Sequence, residues 1–179
     1  MKARTRNLVL VGLLGAMGFL LMVLLEFPIP FLFPPFLKYD FGGIPSILAA
    51  LTLGPGAGTS AELVKTLLFM LSGKDPTLWV GPSAAFLAGA VMAELTGWVY
   101  RRRATTGGLA LGLSVATVAT AVVMSVANYL VFLPAYGIPA GQVAGMAAGV
   151  IFPFNLVKGL ITGTVVMVIG RRLAAALKR

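Results

Sequence analysis

The chain has 179 residues, of which 59% are hydrophobic and only 11% charged, with a mean hydropathy of +0.98 and a formal net charge of +9. A soluble domain is nearer a quarter charged, and several uncharged runs approach or exceed the roughly 20 residues that cross a hydrocarbon core. The expected class is therefore all-α, a single polytopic membrane domain. An outer-membrane barrel is excluded because the apolar runs are continuous instead of alternating. Cys and His are both absent, which removes thiol nucleophiles, Cys/His metal sites, disulfides and imidazole acid–base chemistry.

The positive charge is placed at segment ends. Lys2, Arg4, Arg6, Arg101, Arg102, Arg103, Arg171, Arg172, Lys178 and Arg179 all flank apolar runs, as basic residues do at the cytoplasmic ends of membrane helices. Contact with lipid headgroups is the expected partnership, and nucleic acid is not. The first apolar run lacks a small-residue cleavage site behind it and reads as a retained helix.

In chain order, helix 1 is expected over about 8–25, leaving the cytoplasm, with Gly12 and Ala16 as a small-xxx-small pair suited to close helix approach, inside this protein or with another. The stretch from Phe27 to Gly43 carries four prolines, five phenylalanines and a tyrosine. It cannot be one helix, and it is too apolar for a solvated loop. It belongs to the interfacial aromatic belt or to the mouth of a pocket. Helix 2 is expected over 44–53, ended by Gly54-Pro55-Gly56, and helix 3 over 57–71, carrying Glu62 and Lys65 as an internal ion pair. The Ser72–Pro76 run reads as an outer turn. Helix 4 is expected over 78–100, with Glu94 placed to pair with Lys65 and with a small, kinked start at Gly81-Pro82-Ser83-Ala84-Ala85. Helices 5 and 6 are expected over 109–133 and 143–170, joined by an outer loop from Pro134 to Gln142. Six helices place both ends in the cytoplasm with the three basic clusters on one side.

Helix 6 contains Lys158, preceded by 54 residues from Ala104 to Val157 without a charge. A lone ammonium there costs roughly 2.5–3.5 kcal/mol on insertion scales, and a polar ligand is the leading compensation. Counting up from Arg171 puts Lys158 about 20 Å and Asn155 about 24 Å above the inner anchor, and Asn128 lies about 29 Å above Leu109. All three fall in the outer half of a slab about 30 Å thick, on the side of the aromatic loop. Apolar walls with a few placed polar groups are the features of a small-molecule site.

Four stretches carry a family likeness: Phe36-Leu37-Lys38-Tyr39-Asp40-Phe41-Gly42-Gly43-Ile44-Pro45, Leu53-Gly54-Pro55, Gly81-Pro82-Ser83-Ala84-Ala85-Phe86-Leu87-Ala88-Gly89, and Asn155-Leu156-Val157-Lys158. Together and in order they resemble the riboflavin-specific substrate-binding (S) components of energy-coupling factor (ECF) vitamin transporters. The resemblance implies a six-helix protein of a prokaryotic plasma membrane that captures riboflavin or its phosphate (FMN) outside the cell as transported ligand, with no cofactor and no enzymatic activity. It implies a transmembrane coupling subunit and two cytoplasmic ATPases as partners. No Walker A pattern occurs in this chain. Carried over by motif, the ligand-contacting positions are Lys38, Tyr39, Asp40, Phe41, Gly81, Ala84, Asn128, Asn155 and Lys158, and Gly12 and Ala16 dock the coupling subunit. The competing expectations are an S-component for another vitamin, a self-sufficient secondary transporter, which lacks an obvious mid-membrane coupling carboxylate, and a membrane-embedded lipid transferase, which lacks a catalytic or metal-holding cluster.

Overall fold

Each helix is bounded by residues that cannot continue it. In the computed structural model, which describes residues 3–35, 37–75, 77 and 79–170, six helices follow in order: α1 Ala3–Leu24, α2 Gly43–Leu53, α3 Pro55–Leu71, α4 Val80–Arg102, α5 Thr106–Ala135 and α6 Ala140–Gly170. Lys2, Phe36, Pro76, Arg171, Arg172, Lys178, Arg179 and the expected helix start at Leu78 lie outside the described residues. Gly54 turns α2 into α3 at φ 116°, ψ 163°, a conformation open essentially only to glycine, and Pro55 follows at the first helical position, where its missing N–H is no loss. The Thr105 hydroxyl caps α5 by accepting from the Gly108 N–H at 3.0 Å.

Helices α5 and α6 run further than expected, and Pro134 lies inside α5 instead of opening a loop. The reason is local widening. Asn128–Phe132 and Ala147–Ile151 are π-helical, and each stretch contains the carbonyl four residues before a proline, that of Leu130 before Pro134 and that of Gly149 before Pro153. A proline donates no bond to that carbonyl and crowds it, and a π turn absorbs the mismatch without ending the helix.

Four helices, α1, α4, α5 and α6, are long and apolar enough to cross a membrane. Helix α2 has 11 residues, about 16 Å at 1.5 Å per residue, and is enclosed instead: all eight residues from Ile44 to Leu51 are buried, as a helix apolar on every side must be. Helices α1 and α3 run parallel, with Gly15 facing Ala61 and Val64, Gly18 facing Lys65, and the Lys74 ammonium donating to the Val23 carbonyl at 3.1 Å. Gly54 neighbours the Arg101 guanidinium, so Arg4, Arg6 and Arg101–Arg103 share one end of the bundle. At that inner end glycines bring the backbones together: Gly58 against Ala50 and the Ser46 carbonyl, Gly97 against Ala50 and Pro55, Gly112 against Thr96. Small residues do this work in lipid, where burial of apolar surface alone does not hold helices together.

Between α1 and α2 the chain forms a short antiparallel pair, β1 Phe27–Pro28 and β2 Lys38–Tyr39, with Phe27 opposite Tyr39. The aromatic loop thus folds back on itself across the outer end of the bundle.

Candidate ligand site

A cavity of about 500 Å³ opens in the outer half, inside the range of about 300–1,000 Å³ usual for small-molecule sites. Its walls come from the β2 segment, the α3–α4 turn, the first turns of α4, the π-bearing part of α5 and the middle of α6. Of the sequence-derived candidates, Lys38, Asp40, Gly81, Ala84, Asn128, Asn155 and Lys158 line it.

Tyr39 and Phe41 do not line the cavity. Successive residues of an extended segment point to opposite sides, so the register that turns Lys38 and Asp40 toward the cavity turns these two away. Tyr39 is fully buried, with its hydroxyl 3.2 Å from that of Thr162. Its ring lies 5.1 Å from that of Phe41, edge to face, and 5.5 Å from that of Phe27. Burial raises the Tyr39 hydroxyl pKa, the bond to Thr162 works against this, and the Asp40 charge adds to it. The pair anchors the loop and leaves the cavity to its neighbours.

Lys158 is not a lone cation. Its ammonium donates to Asp40 Oδ2 at 2.7 Å, across 118 positions of sequence, while Asp40 Oδ1 accepts from the Gly42 N–H at 2.8 Å. Burial alone would raise the Asp40 carboxyl; the ammonium of Lys158, joined by Lys65 and the Gly42 N–H, prevails and holds it at about 2. The charge is compensated by a loop carboxylate before any ligand arrives, so a ligand is not needed to offset all of the insertion cost.

The two asparagines keep hydrogen-bonding capacity in reserve. Asn128 Nδ2 donates to the Met124 carbonyl at 2.8 Å, and Asn155 Nδ2 to the Ile151 carbonyl at 2.9 Å. An amide has two N–H donors and an oxygen with two lone pairs; among the described residues each of these two cavity-lining side chains uses one donor, leaving the oxygen and the second N–H without a protein partner. Both are 5% exposed, so these groups are withheld from lipid and from bulk water.

Several charged residues are settled within the protein. Glu62 and Lys65 form the expected ion pair, and Glu62 Oε2 also accepts from the Ser46 hydroxyl at 2.7 Å. A side chain at Gly89 would run into the Glu62 carboxylate, so α4 is glycine there to admit it. The expected pairing of Glu94 with Lys65 is corrected: Glu94 accepts from the Thr59 hydroxyl at 2.6 Å, nearer the inner end, while Lys65 is taken by the carboxylate one turn away. Gly81 lines the cavity, but Asp75 and Thr77 occupy the space where its side chain would stand.

The rim was not legible. Lys38 pairs with Glu26 at 3.0 Å, and Asp75 Oδ1 accepts from the Thr77 N–H at 2.7 Å while Thr77 Oγ1 accepts from the Gly81 N–H at 2.9 Å, tying the outer turn to α4. An Asp with Thr two residues later carries an Asx-turn signal, which could have marked this rim. On α1, a side chain at Gly12 would meet open space, whereas Gly15 and Gly18 pack inward.

Comparison with known proteins converges on one family. The model of the ECF transporter substrate-specific component matches residues 6–170. Riboflavin transporter RibU of Staphylococcus aureus is 40% identical over 183 residues, covering 98% of this chain and 94% of that protein. Riboflavin transporter FmnP of Bacillus subtilis is 36% identical over 166 residues, covering 88% and 86%. A solved structure described as the S component of a bacterial ECF transporter superposes with a TM-score of 0.82 at 41% identity, covering 98% of this chain and 99% of that one.

Proposed function

The chain belongs to the substrate-specific components of ECF transporters, multi-pass proteins of the cell membrane, and from that premise we propose that it captures riboflavin at the extracellular side for ATP-driven uptake by partner subunits. The observation that carries the reading is the outer cavity with Asn128, Asn155 and Lys158 on its walls. An isoalloxazine ring presents carbonyl acceptors beside an N–H donor. The free amide groups of the two asparagines match both kinds, and Lys158 has two further N–H donors beyond the one given to Asp40. Leu37, Met124, Leu133, Ile151 and Phe154 supply apolar walls for the rings. Nothing in this arrangement performs covalent chemistry; it binds and holds, and affinity rests on preformed hydrogen-bonding groups in a site sheltered from water.

Family membership implies work with ECF module partners. The finer reading is one transmembrane coupling subunit, met by the small-residue face of α1 at Gly12 and Ala16, and two cytoplasmic ATPases. The open space at Gly12 supports an outward-facing contact there.

The test is spectroscopic. Protein purified in detergent from riboflavin-containing medium is expected to carry flavin absorbance with quenched fluorescence. Colourless protein that also fails to quench added riboflavin overturns the assignment, and binding of a different vitamin would redirect it within the family.

A further inference from the structure

Beneath the ligand cavity lies a second, smaller one of about 50 Å³. The two share Asp40, Ala85, Ala88, Asn155 and Lys158 as a common wall, and the Lys158–Asp40 ion pair is therefore part of the partition between them. Below the partition the polar lining is Lys65, Thr120 and Thr162. Thr162 already meets the Tyr39 hydroxyl. Thr120 is 6% exposed, and its hydroxyl has no hydrogen-bond partner among the described residues. Buried hydroxyls are rarely left so, because the desolvation penalty is then uncompensated.

We propose that this lower chamber is a binding site for a cluster of ordered water, hydrogen-bonded to Thr120, that supports the floor of the ligand cavity from below. Its supporting role rests on the ligand-binding reading of the upper cavity; its occupancy does not.

Size, polarity and charge all select water. One water needs about 10–15 Å³ of such volume and two to four polar partners, so about 50 Å³ takes three or four molecules, and Asp40, Lys65, Thr120, Asn155, Lys158 and Thr162 line the walls. The ammonium groups of Lys65 and Lys158 are matched by the carboxylates of Glu62 and Asp40. The set sums to zero, so neither a bare cation nor a bare anion is favoured, and a neutral molecule that both donates and accepts is. Entry of the ligand itself is opposed by the partition, whose ion pair would have to break.

The cluster has a function in capture. When a ligand engages a free donor of Lys158 from above and draws the ammonium toward itself, the bond to Asp40 lengthens and a lone-pair site on that carboxylate loses part of its partner. Water below re-pairs with that carboxylate at once, so the floor adapts without presenting an unsatisfied charge to apolar surroundings. A dry chamber would make the same movement expensive.

The experiment is a structure at a resolution that shows water, with and without riboflavin, joined to binding titrations of Thr120→Val and Thr120→Ser. Three or four ordered waters are expected, one within hydrogen-bonding distance of Thr120 Oγ1. Thr120→Val, nearly identical in shape, should keep its melting temperature, lose that water and weaken riboflavin binding about five- to tenfold, the worth of one hydrogen bond. Thr120→Ser, which keeps the hydroxyl, should stay within about twofold of the parent. A chamber holding ligand atoms, an ion or no ordered solvent overturns the proposal, as does a Thr120→Val protein that binds like the parent. Failure of the parent to bind riboflavin would instead overturn the reading of the upper cavity, while the ligand-free water density still decides the chamber.

Discussion

In the inner half of the bundle, glycines at 58 and 97 bring helix backbones so close that added side chains would collide with their neighbours, and the carboxylates there are answered within the protein, Glu62 by Lys65 and Ser46, Glu94 by Thr59. In the outer half the same helices part around a cavity of about 500 Å³, and its asparagines each hold back most of their hydrogen-bonding capacity. The difference is one of partners. A polar group in a membrane protein must be satisfied, and where protein does not finish the task the place is prepared for something else. The π turns belong to this division: they fall in α5 and α6 where Asn128 and Asn155 are presented, and beside prolines that a regular helix would not accommodate.

The comparison can be broken by four experiments. The largest effect is expected at Glu62→Gln, which leaves the buried Lys65 ammonium without its carboxylate; breaking a buried pair costs about 3–5 kcal/mol. The melting temperature in detergent should fall strongly, while riboflavin affinity of the protein that remains folded stays near the parent's. Unchanged stability would mean that Asp40 takes over Lys65, so that the two halves share one charge network. Next, Gly58→Leu should destabilise by about 1–3 kcal/mol through overpacking against Ala50 and the Ser46 carbonyl. Gly145→Leu, which points into open space, should leave thermal unfolding nearly unchanged.

In the outer half, Lys158→Met should weaken riboflavin binding about 10- to 100-fold, the worth of a hydrogen bond from a charged donor. It also leaves Asp40 unpaired. The double variant with Asp40→Asn is expected to recover stability and not affinity, as read by fluorescence quenching beside thermal melts; recovered affinity would remove Lys158 from the site. The smallest effect is with pH. Asp40 is held at about 2, below its ordinary 3.8, so the stability from its ion pair is complete above the ordinary value and is lost only as pH falls toward the folded one. Riboflavin binding should therefore vary by less than about twofold between pH 8 and pH 5, and a titration midpoint near neutrality would show that a different group governs the floor.

Much of this protein is written in local chemistry. Apolar run length and basic flanks were enough to read membrane helices, because the cost of a charge or an unpaired backbone group in hydrocarbon depends on residue type and position in a run. Lys158, Asn155 and Asn128 stood out for the same reason: each is expensive where it stands. Glu62 and Lys65 were legible as a pair because helical spacing is a local rule.

What decided the rest was contact between distant parts of the chain. No local rule joins Asp40 to Lys158. Nor does one tell that Tyr39 and Phe41 turn away while Lys38 and Asp40 turn in, since strand register is set by the partner strand and the surface beneath it. Pro134 reads as a break in sequence, yet α5 continues through it, and α6 through Pro153, by widening a turn. Sequence alone determined which residues are costly in a membrane; only the folded structure determined which of those costs the protein answers itself and which it leaves open toward the outer cavity, because the partners come from distant parts of the chain.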